Sequence, residues 1–467
     1  MSTTRSAAQV TTKPSAAKVA VAGFIGTTIE WYDYLVFGAA TVLVFNPLFF
    51  PTLDPLAGTL AGFATLAVAF LARPVGGLVF GHFGDRIGRK KMLVLSVVMM
   101  GAGTFAVGLL PTYETIGIWA PILLVALRFV QGFAVGGEWG GAVVMSLEHA
   151  PPNRRAFYAS FPQAGVPAGT FLSSSAFFLV TLMPEEQLLS WGWRIPFLCS
   201  AILIVVGLYI RMRVTESPEF LALRSGGDVA KLPAADVFAS HKRALVVGSL
   251  CLLAPNAVFY LASTFFLSYG PVHLGLSRGL VLTALLVASA VQVVTLPLFA
   301  IIADRTGTKN FLMAGSAVVA VGAFPVFLLF DTGTVAGVVA AYLLALPVLH
   351  ALVYGAVAGF IAELFPPKAR YTGSSVAYHL GGAVTAAPVP IVATLLLTEF
   401  GTSAAIAVYL ILASLVCGLV ISLAPAPRGP VESARPRSEV AARHSPSGVR
   451  GSAGARDRHP EVRAGQQ

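Results

Sequence analysis

The sequence predicts an all-α membrane protein: twelve transmembrane helices in two six-helix bundles, with both termini in the cytoplasm. Three observations carry this expectation. Apolar runs of about 20 residues recur along the chain, each long enough to cross a hydrocarbon core as a helix, and mean hydropathy is +0.79. The chain also repeats itself. Asp85-Arg-x-Gly-x-Lys90 returns 219 residues later as Asp304-Arg-x-Gly-x-Lys309, and Glu148-x-x-Pro-Pro-x-x-Arg155 returns 215 residues later as Glu363-x-x-Pro-Pro-x-x-Arg370. Finally, with the N-terminus placed inside, 27 of the 31 Lys and Arg fall in inner segments and only Arg278 in an outer loop, the asymmetry that sets membrane orientation.

In chain order, residues 1–18 form a polar N-terminal segment inside the cell. The apolar run after it is too long for a cleavable signal peptide. Spans are expected at 19–46, 57–80, 91–111, 118–146, 157–182 and 194–213, which make the first bundle (19–213). Trp191 and Trp193 open the sixth span at the outer interface, where amphipathic rings collect. A polar cytoplasmic linker, 214–242, leads to the second bundle (243–423), with spans at 243–270, 279–302, 311–330, 334–361, 373–397 and 402–423. Residues 424–467 are rich in Pro, Arg, Ser and Gly. They cannot bury enough apolar surface to fold and read as a disordered basic tail. The 46 Gly and 30 Pro are tolerated because neighbouring membrane helices satisfy freed backbone groups. Cys199, Cys251 and Cys417 lie inside apolar runs and read as small hydrophobes. The inner loops and the tail account for the net charge of +10. Membrane lipid, not nucleic acid, is therefore the expected partner.

Ionisable residues inside spans are costly and point to function. Glu30 and Asp33 share one face of the first span and are expected to take up a coupling proton, desolvation favouring the neutral carboxyl; a fixed ion pair with a buried Arg is the bland reading. On the fourth span, Arg128 is always charged and its fork suits a carboxylate. It is expected near an anionic substrate or in exchange between Asp33 and Glu138. Glu138 is assigned to proton coupling, although its glycine-rich surroundings favour a structural partner. Gly132, Gly136 and Gly140 recur every four residues and allow a close helix approach. Arg73 either contacts substrate or snorkels to the inner surface. Tyr34, Gln131, Gln163, Asn256, Tyr260, Gln292, Tyr354, Tyr378 and His379 are expected at the substrate cavity. His350 is the weaker of the two histidines, because His379 precedes a Gly381-Gly382 break. No metal or cofactor pattern is present, and the spacing Gly84-x-x-x-Gly88 is wrong for a phosphate loop.

The two pairs of charged loops are expected to form a cytoplasmic gate: Asp85, Arg86, Gly88, Arg89, Glu148 and Arg155 from the first half, with Asp304, Arg305, Glu363 and Arg370 from the second. Asp85 is suited to capping a neighbouring helix, and Arg86 and Arg89 to pairing with Glu148 and Glu363.

Several of these segments carry a resemblance. Gly81–Lys90 and Arg128-x-x-Gln131-Gly132 resemble the loop and fourth-helix motifs of the major facilitator superfamily. Ile29-Glu-Trp-Tyr-Asp-Tyr34, Ala72-Arg-Pro-Val-Gly76, Gln131-Gly-Phe-Ala-Val-Gly-Gly-Glu-Trp-Gly-Gly141, Trp193-Arg-Ile-Pro-Phe197 and Glu216-Ser-Pro-Glu-Phe220 resemble its metabolite:proton symporter branch. The resemblance covers about residues 20–423 and is strongest in the first half; Asp304–Lys309 lacks the second Arg of the first loop. It implies a bacterial inner-membrane symporter that imports a small carboxylate, a shikimate-like acid or a zwitterion such as a betaine or proline, working with protons and as a monomer. An enzyme would need a nucleophile–base pair or a metal motif, and neither appears. A sensor with a transporter-like body is the remaining alternative.

Overall fold

The computed structural model describes residues 15–52, 55–227 and 233–424. The expectations for residues 1–14 and for the tail beyond 424 lie outside these, as do residues 228–232 of the linker. The described residues are helical throughout, with no strand among them. The first half runs α1 (Ala16–Ala40), α2 (Pro55–Ile87), α3 (Arg89–Leu109), α4 (Trp119–His149), α5 (Arg155–Thr181) and α6 (Arg194–Met212). The linker holds two short helices, α7 (Pro218–Ser225) and α8 (Pro233–Ser240). The second half runs α9 (Lys242–His273), α10 (Arg278–Thr306), α11 (Thr308–Asp331), α12 (Val335–Glu363), α13 (Pro367–Phe400) and α14 (Ser403–Ser422). Ten of these runs are long and apolar enough to cross a bilayer. The other two, α1 and α2, are 25 and 33 residues long. In α1, Glu30, Asp33 and their polar neighbours pull the hydropathy down. Side chains such as Val205, Val321, Leu328 and Leu419, all more than half exposed, face outward where lipid takes the place of a core.

The charged hinges differ from the loops expected. Gly81–Ile87 belongs to α2, and Gly88 alone separates α2 from α3, at φ 124°. Gly307 separates α10 from α11 in the same way, at φ 88°. Such φ values are open to glycine and strained for other residues. The linker, expected to be simply polar, is half helical. Ser217 caps α7 by accepting from the Phe220 amide at 3.1 Å, as a serine before a Pro-led helix should.

On α4, glycine does what its spacing foretells. A Cβ on Gly132 would overlap the Ala69 backbone and one on Gly136 the Arg73 carbonyl, both in α2; one on Gly140 would overlap Ser375 of α13. The second half has its own irregularity. π-helical turns at Leu261–Phe265, Leu344–His350 and Gly382–Ala386 interrupt α9, α12 and α13. The glycine break at 381–382 is therefore a widened turn and not an unwound segment. Such bulges recur at functional sites, and here all three lie beside residues expected at the cavity. Between the halves, α2 packs on α13, and α5 on α10 and α12. The hydrogen bonds and ion pairs between the halves among the described residues run from the charged hinges to mid-depth. Farther on, the Trp31 and Phe259 rings meet edge to face at 5.9 Å.

Candidate functional site

Two spaces meet near mid-depth. The larger, about 610 Å³, lies between the halves and is walled by Trp31, Arg73 and Val166 on one side and by α9, α12 and α13 on the other. Of the residues predicted there, Arg73, Asn256, Tyr260, Tyr354, Tyr378 and His379 line it, and so does His350. Arg73 thus points into the protein interior, and the snorkelling reading falls. Asn256 donates to Thr385 at 2.7 Å, the Tyr354 and Tyr378 hydroxyls are 3.0 Å apart, and His379 Nε2 lies 2.9 Å from the Gly136 carbonyl oxygen. Trp31 and Phe259 complete an aromatic wall that the polar pattern of the sequence does not reveal.

The second, smaller space lies among α1, α2, α3 and α4 and is lined by Glu30, Asp33, Tyr34, Arg73, Thr104, Arg128 and Gln131 among others. Arg73 lines both spaces. Its guanidinium carbon is 4.9 Å from the Tyr34 ring centroid, and that of Arg128 is 5.3 Å from the same ring and 4.0 Å from Phe37. Arg128 donates to Gln131 Oε1 at 3.1 Å, and Gln131 donates to Thr104 at 2.8 Å. Glu30 Oε2, both Asp33 oxygens, and Arg128 Nε and Nη2 have no hydrogen-bond partner among the described residues. Two carboxyl groups, Glu30 and Asp33, therefore share the pocket with two guanidinium groups, Arg73 and Arg128, and no hydrogen bond joins Asp33 to Arg128. Tyr34, Arg128 and Gln131, expected at the substrate cavity, belong to this side pocket.

Three expectations need correction. Gln163 and Gln292 do not line the central cavity. Gln163 accepts from Trp139 Nε1 at 2.6 Å and donates to the Tyr354 carbonyl at 3.3 Å, and Gln292 is bonded to His350. A buried amide has several groups to satisfy, and neighbouring helices supply them here. Nor does Glu138 exchange with Arg128. Ten residues of helix separate them, about 15 Å, and Glu138 is paired with Arg211 of α6 and accepts from Ser96 at 3.1 Å. Arg86 and Arg305 stand apart from the gate. Both are exposed, and Arg86 lies 3.4 Å from His82.

The remaining gate residues converge. Asp85 accepts from the Thr372 amide and hydroxyl, each at 2.9 Å, and from the Tyr371 amide at 3.4 Å. Asp304 accepts from the Ala156 and Phe157 amides at 2.8 and 2.9 Å. Each caps the helix that follows the other half's Pro-Pro-x-x-Arg, where amides are unpaired and the dipole favours an anion. Arg89 lies 3.4 Å from Asp85, pairs with Glu148 and donates to the Pro367 carbonyl at 2.8 Å. Glu148 also pairs with Arg370 at 2.7 Å, Arg370 with Glu219, and Arg155 with Glu219 and Glu363 at 3.4 and 3.5 Å. Sequence reasoning missed Glu219, Ser217 and Arg211. The first two lie in the quoted Glu216-Ser-Pro-Glu-Phe segment, and Arg211 lies at the inner end of the sixth expected span.

A family model described as Major Facilitator Superfamily matches residues 24–387. The inner membrane metabolite transport protein YhjE of Escherichia coli (strain K12) is 42% identical over 393 residues, 83% of this chain and 89% of that protein. The shikimate transporter of the same organism is 40% identical over 412 residues, 87% of this chain and 94% of its own. Among solved structures, the proton:xylose symporter XylE bound to 6-bromo-6-deoxy-D-glucose shares the fold with a TM-score of 0.68 at 18% identity, covering 88% of this chain and 94% of that one.

Proposed function

This chain belongs to the Major Facilitator Superfamily and is a multi-pass inner-membrane transporter, not an enzyme; from that premise we propose that it imports a small organic anion together with a proton by alternating access. The observation that best supports this is Arg73, which lines both the central cavity and the pocket of buried carboxyl groups. A carboxylate entering the cavity meets a guanidinium suited to it. Asn256 and the Tyr260, Tyr354 and Tyr378 hydroxyls offer polar contacts to the rest of a hydroxylated acid, and Trp31 and Phe259 cover its apolar face.

Protonation of Glu30 or Asp33, both buried, then removes a charge that would be costly to hold away from solvent while the halves move. Once Asp33 loses its proton, Arg128 has two nitrogens with which to hold it. With the Lys- and Arg-rich hinges cytoplasmic, this conformation is closed inside and would receive substrate from outside. Twelve spans and cytoplasmic termini fit that reading. The aromatic wall favours a second one: a betaine, its quaternary ammonium against the rings and its carboxylate on Arg73.

Uptake of labelled carboxylates and betaines into vesicles, with and without an imposed proton gradient, tests this. Accumulation of a carboxylate that a protonophore abolishes is expected. Accumulation of betaines alone selects the second reading, and uptake indifferent to the gradient rejects proton coupling.

A further inference from the structure

The first bundle contains more than the side pocket. A separate small cavity lies at its charged-hinge end, lined by apolar side chains together with Lys90 and Arg211. Three helices contribute to both cavities in register. Along α1, Val19, Ala22 and Gly23 line the hinge-end cavity and Glu30 and Asp33 the side pocket. Along α3 the order is Lys90 and Leu93, then Met100 and Thr104; along α4 it is Met145 and Ala142, then Val135, Gln131 and Arg128. Between the two sets stands one polar plug. It consists of Glu138 on α4, Ser96 on α3 and Arg211 on α6, joined by the ion pair and by the 3.1 Å bond from Ser96. On α1 the plug level is Gly26, where any Cβ would overlap Arg211 and approach Glu138 Oε1 to 2.6 Å. Gly26 lies one helical turn from Glu30 on the same face.

We infer that the coupling proton leaves through the first bundle itself, on a route separate from the substrate's, with the Glu138–Arg211 pair as its release station. This rests on the proton-symport reading above. Glu30 gives its proton to the Glu138 carboxylate: the O–H bond at Glu30 breaks, one forms at Glu138, and Glu30 is left as the anion. Neutral Glu138 releases its hold on Arg211, which already lines the hinge-end cavity and has a buried Nε without a partner. Water entering that cavity takes the proton, and the pair closes again. The groups acting on Glu138 are Arg211 from α6, Ser96 from α3, Glu30 from α1 and Tyr371 from α13, while Arg73 on α2 acts on Glu30. The central cavity, by contrast, is not lined by Glu30, Asp33 or Glu138. Release by this route does not require the latch between the halves to open.

The test uses the full-length protein in proteoliposomes with radiolabelled shikimate and glycine betaine as probes. Probe-for-probe exchange carries the proton in and out on the same carrier and needs no release; gradient-driven accumulation does need it. Glu138→Gln is compared with Glu138→Gln/Arg211→Gln, which leaves no unpaired charge behind. Both are expected to keep exchange near the wild-type rate while accumulation falls roughly 10²-fold, the scale of losing a positioned proton acceptor. Wild-type accumulation by the double variant overturns the relay. So does parallel loss of exchange and accumulation in both variants, which makes the pair a packing element. If the wild-type protein accumulates neither probe under a proton gradient, symport itself fails and the relay falls with it.

Discussion

The two latches at the hinge end have the same geometry and different surroundings. Asp85 reaches across to Tyr371 and Thr372, and Asp304 reaches back to Ala156 and Phe157, each carboxylate holding the two residues after the opposite half's repeat arginine. Asp85, however, is buried beside Arg89, in a network that continues through Glu148 and Arg370 to Glu219. Asp304 is half-buried with an exposed Arg305 beside it. Duplication preserved the helix cap in both copies. The charged core around Asp85 is fully buried, with the linker helix α7 contributing to it, whereas Arg155 and Glu363 beside Asp304 pair while partly exposed. The closed state is therefore held chiefly on one side, and the other side is the natural place for the halves to part first.

Substitutions can break or sharpen that contrast. The largest effect is expected from Glu148→Gln, which deprives Arg89 and Arg370 of a buried carboxylate. Breaking such a network typically costs about 3–5 kcal/mol, to be read as a lowered melting temperature in detergent; an unchanged melting temperature removes the asymmetry. Asp85→Asn should cost about 1–2 kcal/mol through the loss of a buried charge at a helix N-terminus, slowing the transport cycle with substrate affinity nearly intact. A large loss of affinity with normal turnover would instead place the hinge in the binding site. Gly88→Ala should cost more than Gly307→Ala. Both force an L-residue to positive φ, about 1–2 kcal/mol, but at Gly88 the new Cβ also lies 2.6 Å from Glu216 Oε2, whereas Gly307 has open space. Asp304→Asn should cost about 1 kcal/mol or less and speed opening of the gate; a penalty equal to that of Asp85→Asn would make the latches equivalent. Arg86→Ala and Arg305→Ala should stay within about 0.5 kcal/mol, as exposed substitutions do.

The fold was legible because lipid imposes it. Run length, loop charge and the doubled motifs each answer to a single physical constraint. Asp85 and Asp304 were legible because a carboxylate at a repeated hinge has few uses other than a helix end. Arg86 misled because sequence gives the charges of a motif without their direction. It shares the hinge with Arg89 but lies at the end of α2 on an exposed surface, whereas Arg89 opens α3 and is buried. Gln163 and Gln292 misled because an amide at mid-depth satisfies a cavity or a neighbouring helix equally well, and only the packing decides. Arg211 was missed because it ends an apolar run on the inner side and was counted only among the bases that set orientation. A buried acid such as Glu138, with no partner on its own helix, was the signal that a cation had to come from elsewhere.

The glycine stripe on α4 has a mechanical consequence. At Gly132 and Gly136 it is pressed against the backbone of α2, within its own half; at Gly140 it meets Ser375 of the opposite half. One end is a weld and the other a bearing. The contact is not bare, however: the Tyr371 hydroxyl donates to the Gly137 carbonyl and His379 Nε2 lies 2.9 Å from that of Gly136, so α13 has to give up these contacts before it moves along α4. Tyr378, stacked on Trp139 at 3.6 Å one turn of α13 farther along, adds an aromatic contact to the same seam.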